Sequence, residues 1–128
     1  MTPKQRREVA DRYLASIPRE VADEHVRMNT WISRRGVNDA SNLMHCGMTA
    51  CAAGWLCMVP PLREEGLHFS DYAYRPTFEN SYGFFALCSF FGIVSYDVTV
   101  NIFTTPDIQG YKALQDVRRR LRAAPYAR

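Results

Sequence analysis

At 128 residues, the chain is long enough to bury one hydrophobic core and too short for two comfortable domains. Hydrophobic residues make up 47% of the chain and charged residues 23%, which is typical of a globular protein and excludes a disordered one. The net charge of +3 is unevenly spread, because residues 1–36 and 112–128 hold 14 Lys and Arg against 6 Asp and Glu. We interpret this asymmetry as the solvated faces of terminal helices, with a nucleic-acid or acidic protein partner as the alternative.

No stretch of the sequence predicts a membrane segment. The strongest candidate, residues 84–94, is shorter than the roughly 18 apolar residues that a bilayer-spanning helix needs. The first residues are charged and lack the apolar centre of a signal peptide. We therefore predict a cytoplasmic protein whose four cysteines stay reduced.

Residues 3–35 predict a helical hairpin, or one helix that is kinked near Pro18. Thr2 and Gln5 form a capping-box pattern, with a proline at the first helical position. Pro18 interrupts the first apolar stripe and can open a second helix, which we expect to end at Gly36. The two stripes are Val9, Tyr13, Leu14 and Ile17, then Val21, His25, Met28 and Ile32.

Residues 45–58 predict a turn followed by a short helix over residues 48–58. The small side chains at residues 50–54 would let another backbone approach this helix closely. Trp55 is expected to anchor the core, and Pro60 to stop the helix.

Residues 59–79 predict an irregular loop, because prolines and a glycine recur along them. A loop of this length inside a small domain is often functional. Tyr72 and Tyr74 alternate with smaller residues, so we expect at most one small β-hairpin, within residues 67–79.

Residues 80–123 predict further helices. The first begins at Asn80 or Ser81 and ends at Gly92. Residues 93–103 fit two structures equally well: a strand with alternating apolar residues, or a helix capped by Ser95.

The last helix is predicted over residues 111–123. It would place Leu114, Val117 and Leu121 on one face and its arginines mostly toward water. Together, these elements predict a mostly α fold, in which residues 1–128 form a single compact domain of five or six short helices. The aromatic stripe is expected to lie in the core, and any exposed part of it to be an interface. Its members are Tyr82, Phe84, Phe85, Phe90 and Phe91.

The centre of the chain carries the motif Cys-Gly-x-Thr-x-Cys-x-x-Gly-Trp. It resembles a family of small proteins from bacteriophage and bacterial genomes whose signature is Cys-Gly-Thr-x-x-Cys-x-x-Gly-Trp. The likeness covers about residues 42–105, and it favours a helix for residues 93–103. Met48 stands where the family usually has Thr, which weakens any role for that hydroxyl. The matching residues are Cys46, Gly47, Cys51, Gly54 and Trp55.

This resemblance implies origin in a phage or mobile element rather than a catalytic activity. We therefore predict a non-catalytic accessory protein that binds a protein or nucleoprotein complex. Antagonism of a host-defence complex, such as a CRISPR effector, is one specific form of that prediction. Nucleic acid is an alternative partner, and a homodimer is a further alternative.

A cysteine hydrolase or acyltransferase is the main alternative function. Cys46 precedes a predicted helix, whose N-terminus would lower the pKa of a thiol. The segment resembles the nucleophile region of bacteriocin-processing cysteine peptidases, which need a distant His. His68 or His45 would then act as the base, although neither has the spacing found in that family.

Structural zinc usually takes ligand pairs two to four residues apart, and the gaps between these cysteines are longer. We therefore predict no metal and no cofactor, and we interpret Cys51 and its neighbours as small buried side chains.

Two surfaces are predicted to contact a partner. The first is the irregular loop, with its acidic and tyrosine side chains, and the second is the basic last helix, which would also carry the nucleic-acid alternative. The predicted binding residues are Glu64, Glu65, Asp71, Tyr72, Tyr74, Arg118, Arg119 and Arg122, with the arginine run extending over residues 118–122.

Overall fold

A computed structural model describes residues 1–28, 31, 50–70, 75–105 and 108–128 of the chain. These residues form seven helices and a small three-stranded antiparallel sheet, so the predicted mostly α fold is confirmed. The helices are α1 (Pro3–Ser16), α2 (Arg19–His25), α3 (Ala52–Leu56), α4 (Pro60–Glu64), α5 (Gly83–Phe91), α6 (Tyr96–Phe103) and α7 (Gly110–Ala123). The strands are β1 (His68–Phe69), β2 (Pro76–Phe78) and β3 (Ser81–Tyr82).

The predicted capping box opens α1. The Thr2 hydroxyl accepts a hydrogen bond from the Gln5 backbone N–H at 3.1 Å, and the Gln5 side chain accepts one from the Thr2 N–H at 2.8 Å. A break at Ile17 and Pro18 separates α1 from α2, which makes residues 3–25 two helices rather than one kinked helix.

The second helix is shorter than predicted. It ends at His25, because Val26 has extended backbone angles and pairs with Ala50 in a parallel β-bridge. The Arg27 N–H donates to the Ala50 carbonyl at 3.0 Å, so the backbone leaves helical pairing at this point. Ile32 and Gly36 lie outside the described residues.

The predicted helix over residues 48–58 is also shorter. Helix α3 spans only Ala52–Leu56, with Cys51 as its N-cap and Cys57 as its C-cap. The expectation that residues 59–79 are irregular is wrong for residues 60–64, because Pro60 opens α4 instead of only stopping the helix before it. A proline fits the first helical position, where the backbone N–H has no partner within the helix.

A β-hairpin within residues 67–79 is confirmed, and a third strand extends it. His68 pairs with Thr77, and Thr77 pairs in turn with Tyr82. This second pairing explains why the next helix begins at Gly83 rather than at Asn80 or Ser81.

Residues 96–103 form a helix, so the strand alternative is wrong for them, whereas Ile93 pairs with Tyr126 in an antiparallel β-bridge. Gly92 ends α5 in the left-handed conformation (φ 59°, ψ 43°), which a glycine adopts without steric cost. The Ser95 hydroxyl then caps α6 by accepting a hydrogen bond from the Val98 N–H at 3.2 Å. The local cap, rather than the alternation of apolar residues, decides the structure here.

The core lies between α1, α5 and α7, with α3 beneath them and β2 packed against α5. Trp55 is 1% exposed and anchors it, as predicted. The face of α7 formed by Leu114, Val117 and Leu121 is buried, also as predicted. In the described ranges, no helix has the length and apolarity that crossing a membrane would require. The largest fully buried side chains include Trp55, Phe90, Phe91, Phe103, Leu14, Leu56 and Leu62.

Candidate functional site: an exposed aromatic surface

The residues of the proposed thiol enzyme are only partly described. His45, Cys46 and Gly47 lie outside the described residues, so their arrangement stays a prediction. His68 is exposed on β1, and its Nδ1 atom lies 2.9 Å from the Gly66 carbonyl oxygen.

The two cysteines around α3 are buried, and their environment keeps them protonated. The Cys51 sulfur accepts a hydrogen bond from the Gly54 N–H at 3.4 Å, so this side chain caps the helix. Burial raises the pKa of Cys51 to about 11, although backbone N–H groups oppose the shift. Burial also raises the pKa of Cys57 well above its ordinary value, with the neighbouring Cys51 adding to the effect. Neither thiol is an activated nucleophile at neutral pH.

Gly54 has the close backbone contact that its sequence context predicts. A Cβ atom at this position would overlap the Trp31 carbonyl oxygen and would lie 3.0 Å from the Ala50 Cβ atom. The described part of the motif, Cys51, Gly54 and Trp55, therefore acts in packing.

The acidic residues of the predicted loop surface differ from one another. Glu64 is exposed. Glu65 accepts hydrogen bonds from the N-terminal ammonium of Met1 at 2.7 Å and from Arg6 at 3.3 Å. The ammonium has the largest effect and lowers the pKa of the Glu65 carboxyl; desolvation opposes the change, and Arg6 adds a smaller lowering effect. Asp71, Tyr72 and Tyr74 lie outside the described residues.

The arginines that face α1 are engaged inside the molecule. Arg118 donates to the Asp11 carboxylate at 2.8 Å, and both side chains are largely covered. Arg122 is exposed and lies 3.8 Å from the other oxygen of Asp11.

Arg119 and Arg120, which lie between Arg118 and Arg122 in the sequence, also have partners within the chain. Arg119 pairs with Asp116 at 2.9 Å, and Arg120 donates to the carbonyls of Asn101 and Thr104, which belong to the end of α6. The last helix therefore uses much of its positive charge to hold neighbouring elements.

Arg7 is a buried charge that the sequence analysis missed. It is 3% exposed, and its guanidinium lies at the ends of two helices. At the end of α5, it donates to the carbonyls of Phe91 at 2.8 Å and Gly92 at 3.1 Å. At the end of α7, it donates to the carbonyls of Leu121 at 3.2 Å and Ala124 at 2.6 Å. Carbonyls at helix C-termini lack partners within the helix, and they attract cations.

A small cavity of about 260 Å³ opens beside this arginine, and the ring of Tyr126 lies 3.8 Å from its guanidinium carbon. Burial lowers the pKa of Arg7 from its ordinary value, and interaction with Tyr126 opposes that change. The cavity is lined by Lys4, Arg7, Glu8, Asp11, Arg122 and Tyr126. Because Arg7 already holds four backbone carbonyls, this region is structural.

Three exposed aromatic side chains lie in β3 and in the first turns of α5 and α6, and we call them the aromatic surface: Tyr82, Phe85 and Tyr96. They are 46%, 62% and 40% exposed respectively. The rings of Phe85 and Tyr96 lie 4.4 Å apart between centroids, which is direct contact. Phe84 lies beneath them, 6.1 Å from Tyr96 and 4.9 Å from Trp31.

The sequence identified this surface only in part. Tyr82 and Phe85 were expected to lie in the core, whereas of the stripe only Phe90 and Phe91 are fully buried. Tyr82 belongs to β3 and is the N-cap of α5, whereas Phe85 lies in the first turn of that helix. Tyr96 contacts Phe85 because α6 begins directly after its cap at Ser95. The cap at Ser95 indicates the position of Tyr96 only when residues 96–103 are known to be a helix.

One charged residue lies beside Tyr82, and another follows Tyr96 in the sequence. The guanidinium of Arg75 lies 5.6 Å from the ring centre of Tyr82. Asp97 follows Tyr96 in the first turn of α6, and both charged residues are exposed. Within the described ranges, neither Arg75 nor Asp97 forms an ion pair.

Among the residues that the structure describes, no group of three His, Cys, Asp or Glu side chains is placed to hold a metal ion. No protein-family model, curated protein or solved structure matches this chain.

Proposed function

We propose that this chain is a non-catalytic protein that acts by binding another protein through the aromatic surface. The observation that carries the proposal is the exposure of three large aromatic rings, two of them in direct contact. Aromatic side chains are costly to leave in water, and they are enriched at the centres of protein interfaces. Exposed aromatic rings in direct contact, as Phe85 and Tyr96 are, are typical of interaction sites.

The described residues give less support to the other functions. Cys51 and Cys57 are buried with raised pKa values, which argues against a role for either as a nucleophile. The arginines of α7 contact carboxylates and carbonyls of the same chain, which reduces the positive charge that this helix offers to a nucleic-acid phosphate.

The biological setting of this binding remains a proposal that rests on the central motif. Its resemblance to small phage and bacterial proteins supports an accessory protein of a phage or mobile element. Antagonism of a host-defence complex is the specific form that this origin favours.

Site-specific photo-crosslinking tests the proposed function. A benzophenone amino acid is placed at Phe85, and in a matched control it is placed at Lys112, which is exposed on α7. After illumination in cells of the natural host, adducts are identified by mass spectrometry. The protein that is found is then purified, and its affinity for the chain and for Phe85→Gln is measured by calorimetry.

We expect one dominant adduct from position 85 that is absent from position 112. Binding of the purified partner should weaken at least tenfold in Phe85→Gln, because a central aromatic side chain of an interface typically contributes about 2 kcal/mol. Equal adducts from both positions, or equal affinities for the chain and the variant, would overturn the proposal.

A further inference from the structure

We draw no further inference here: the strongest candidate, the cavity of about 260 Å³ between α1 and the segment that follows α7, is lined by acidic as well as basic side chains, so its charge selects no class of ligand, and its buried Arg7 already donates to four backbone carbonyls.

Discussion

Two arginine–tyrosine pairs in this chain have opposite relations to water. Arg7 is buried beside Tyr126, at 3.8 Å from its ring centre, and donates to four backbone carbonyls. Arg75 is exposed beside Tyr82, at 5.6 Å from its ring centre, and Tyr82 is itself exposed.

The comparison shows that the same two residue types serve different purposes according to where acceptors are available. Near Arg7, two helices end side by side and supply carbonyls that have no partners within their helices. Near Tyr82, Phe85 and Tyr96 lie open to solvent. The Arg7 region therefore stabilises the fold, whereas the Arg75 region is suited to contact with another molecule.

The largest effect is expected from Arg7→Met, which tests whether the buried arginine stabilises the fold. The change removes the guanidinium from four helix-end carbonyls, although the Gly92 carbonyl keeps its hydrogen bond from the Ala127 N–H, and we expect it to lower the free energy of unfolding by about 3–5 kcal/mol. Urea unfolding followed by circular dichroism measures the difference. Arg122→Met is the control, because Arg122 lines the same cavity but is exposed, and it should stay within about 0.5 kcal/mol of the unchanged chain. Similar losses of unfolding free energy in both variants would mean that the buried Arg7 contributes no more to stability than the exposed Arg122.

Gly92→Ala tests the same region through its backbone. Gly92 has φ 59°, and a Cβ atom there would lie 2.8 Å from the Cβ atom of Pro3. Left-handed strain and the clash together should cost about 2–4 kcal/mol in unfolding free energy. Ser89→Ala, at an exposed position of the same helix, should be neutral in the same urea titration. A neutral Gly92→Ala would show that α1 can move away from the end of α5.

A second buried titratable group, the thiol of Cys51, should make the stability of the fold depend on pH. The pKa of Cys51 is raised by burial from 9.0 to about 11, so the folded state holds this proton longer than the unfolded state. The resulting stability is fully present below pH 9.0 and is lost as the pH rises through about 11. We expect the unchanged chain to lose on the order of 2–3 kcal/mol more than Cys51→Ala over this interval, as measured by urea unfolding at each pH. Parallel pH profiles would show that water reaches the sulfur.

The smallest effect on stability is expected from Phe85→Gln, which tests whether the aromatic surface is dispensable for folding. Phe85 is already largely in water, so losing its contact with Tyr96 should cost less than about 1 kcal/mol of unfolding free energy. The same variant is expected to lose partner binding. A large loss of stability, measured by urea unfolding, would place Phe85 among the structural residues instead.

Local signals predicted the elements that depend on short-range contacts. The capping box at Thr2, the left-handed stop at Gly92 and the cap at Ser95 all operate within four residues, and all are present. The buried face of α7 follows from helical periodicity in the same way.

The predictions that failed depended on contacts between distant segments. Helix α2 ends at His25 because Val26 pairs with Ala50, a partner 24 positions away that periodicity does not reveal. The candidate site was missed for a similar reason. Phe85 becomes exposed, and reaches Tyr96, only through the packing of α5 against β2 on one side and α6 on another.

The hydrogen bonds of Arg7 also constrain the order in which the chain folds. Two of its acceptors lie 114 and 117 positions further along the sequence. During synthesis, two of the four acceptors of Arg7 are missing until Leu121 and Ala124 have left the ribosome, so the guanidinium cannot complete its hydrogen bonds before then. Pairings over such long separations form late and slow the search for the native state. We therefore expect a nascent chain that lacks α7 to stay open at this end, and completion of the fold to follow rather than accompany translation of the first helices.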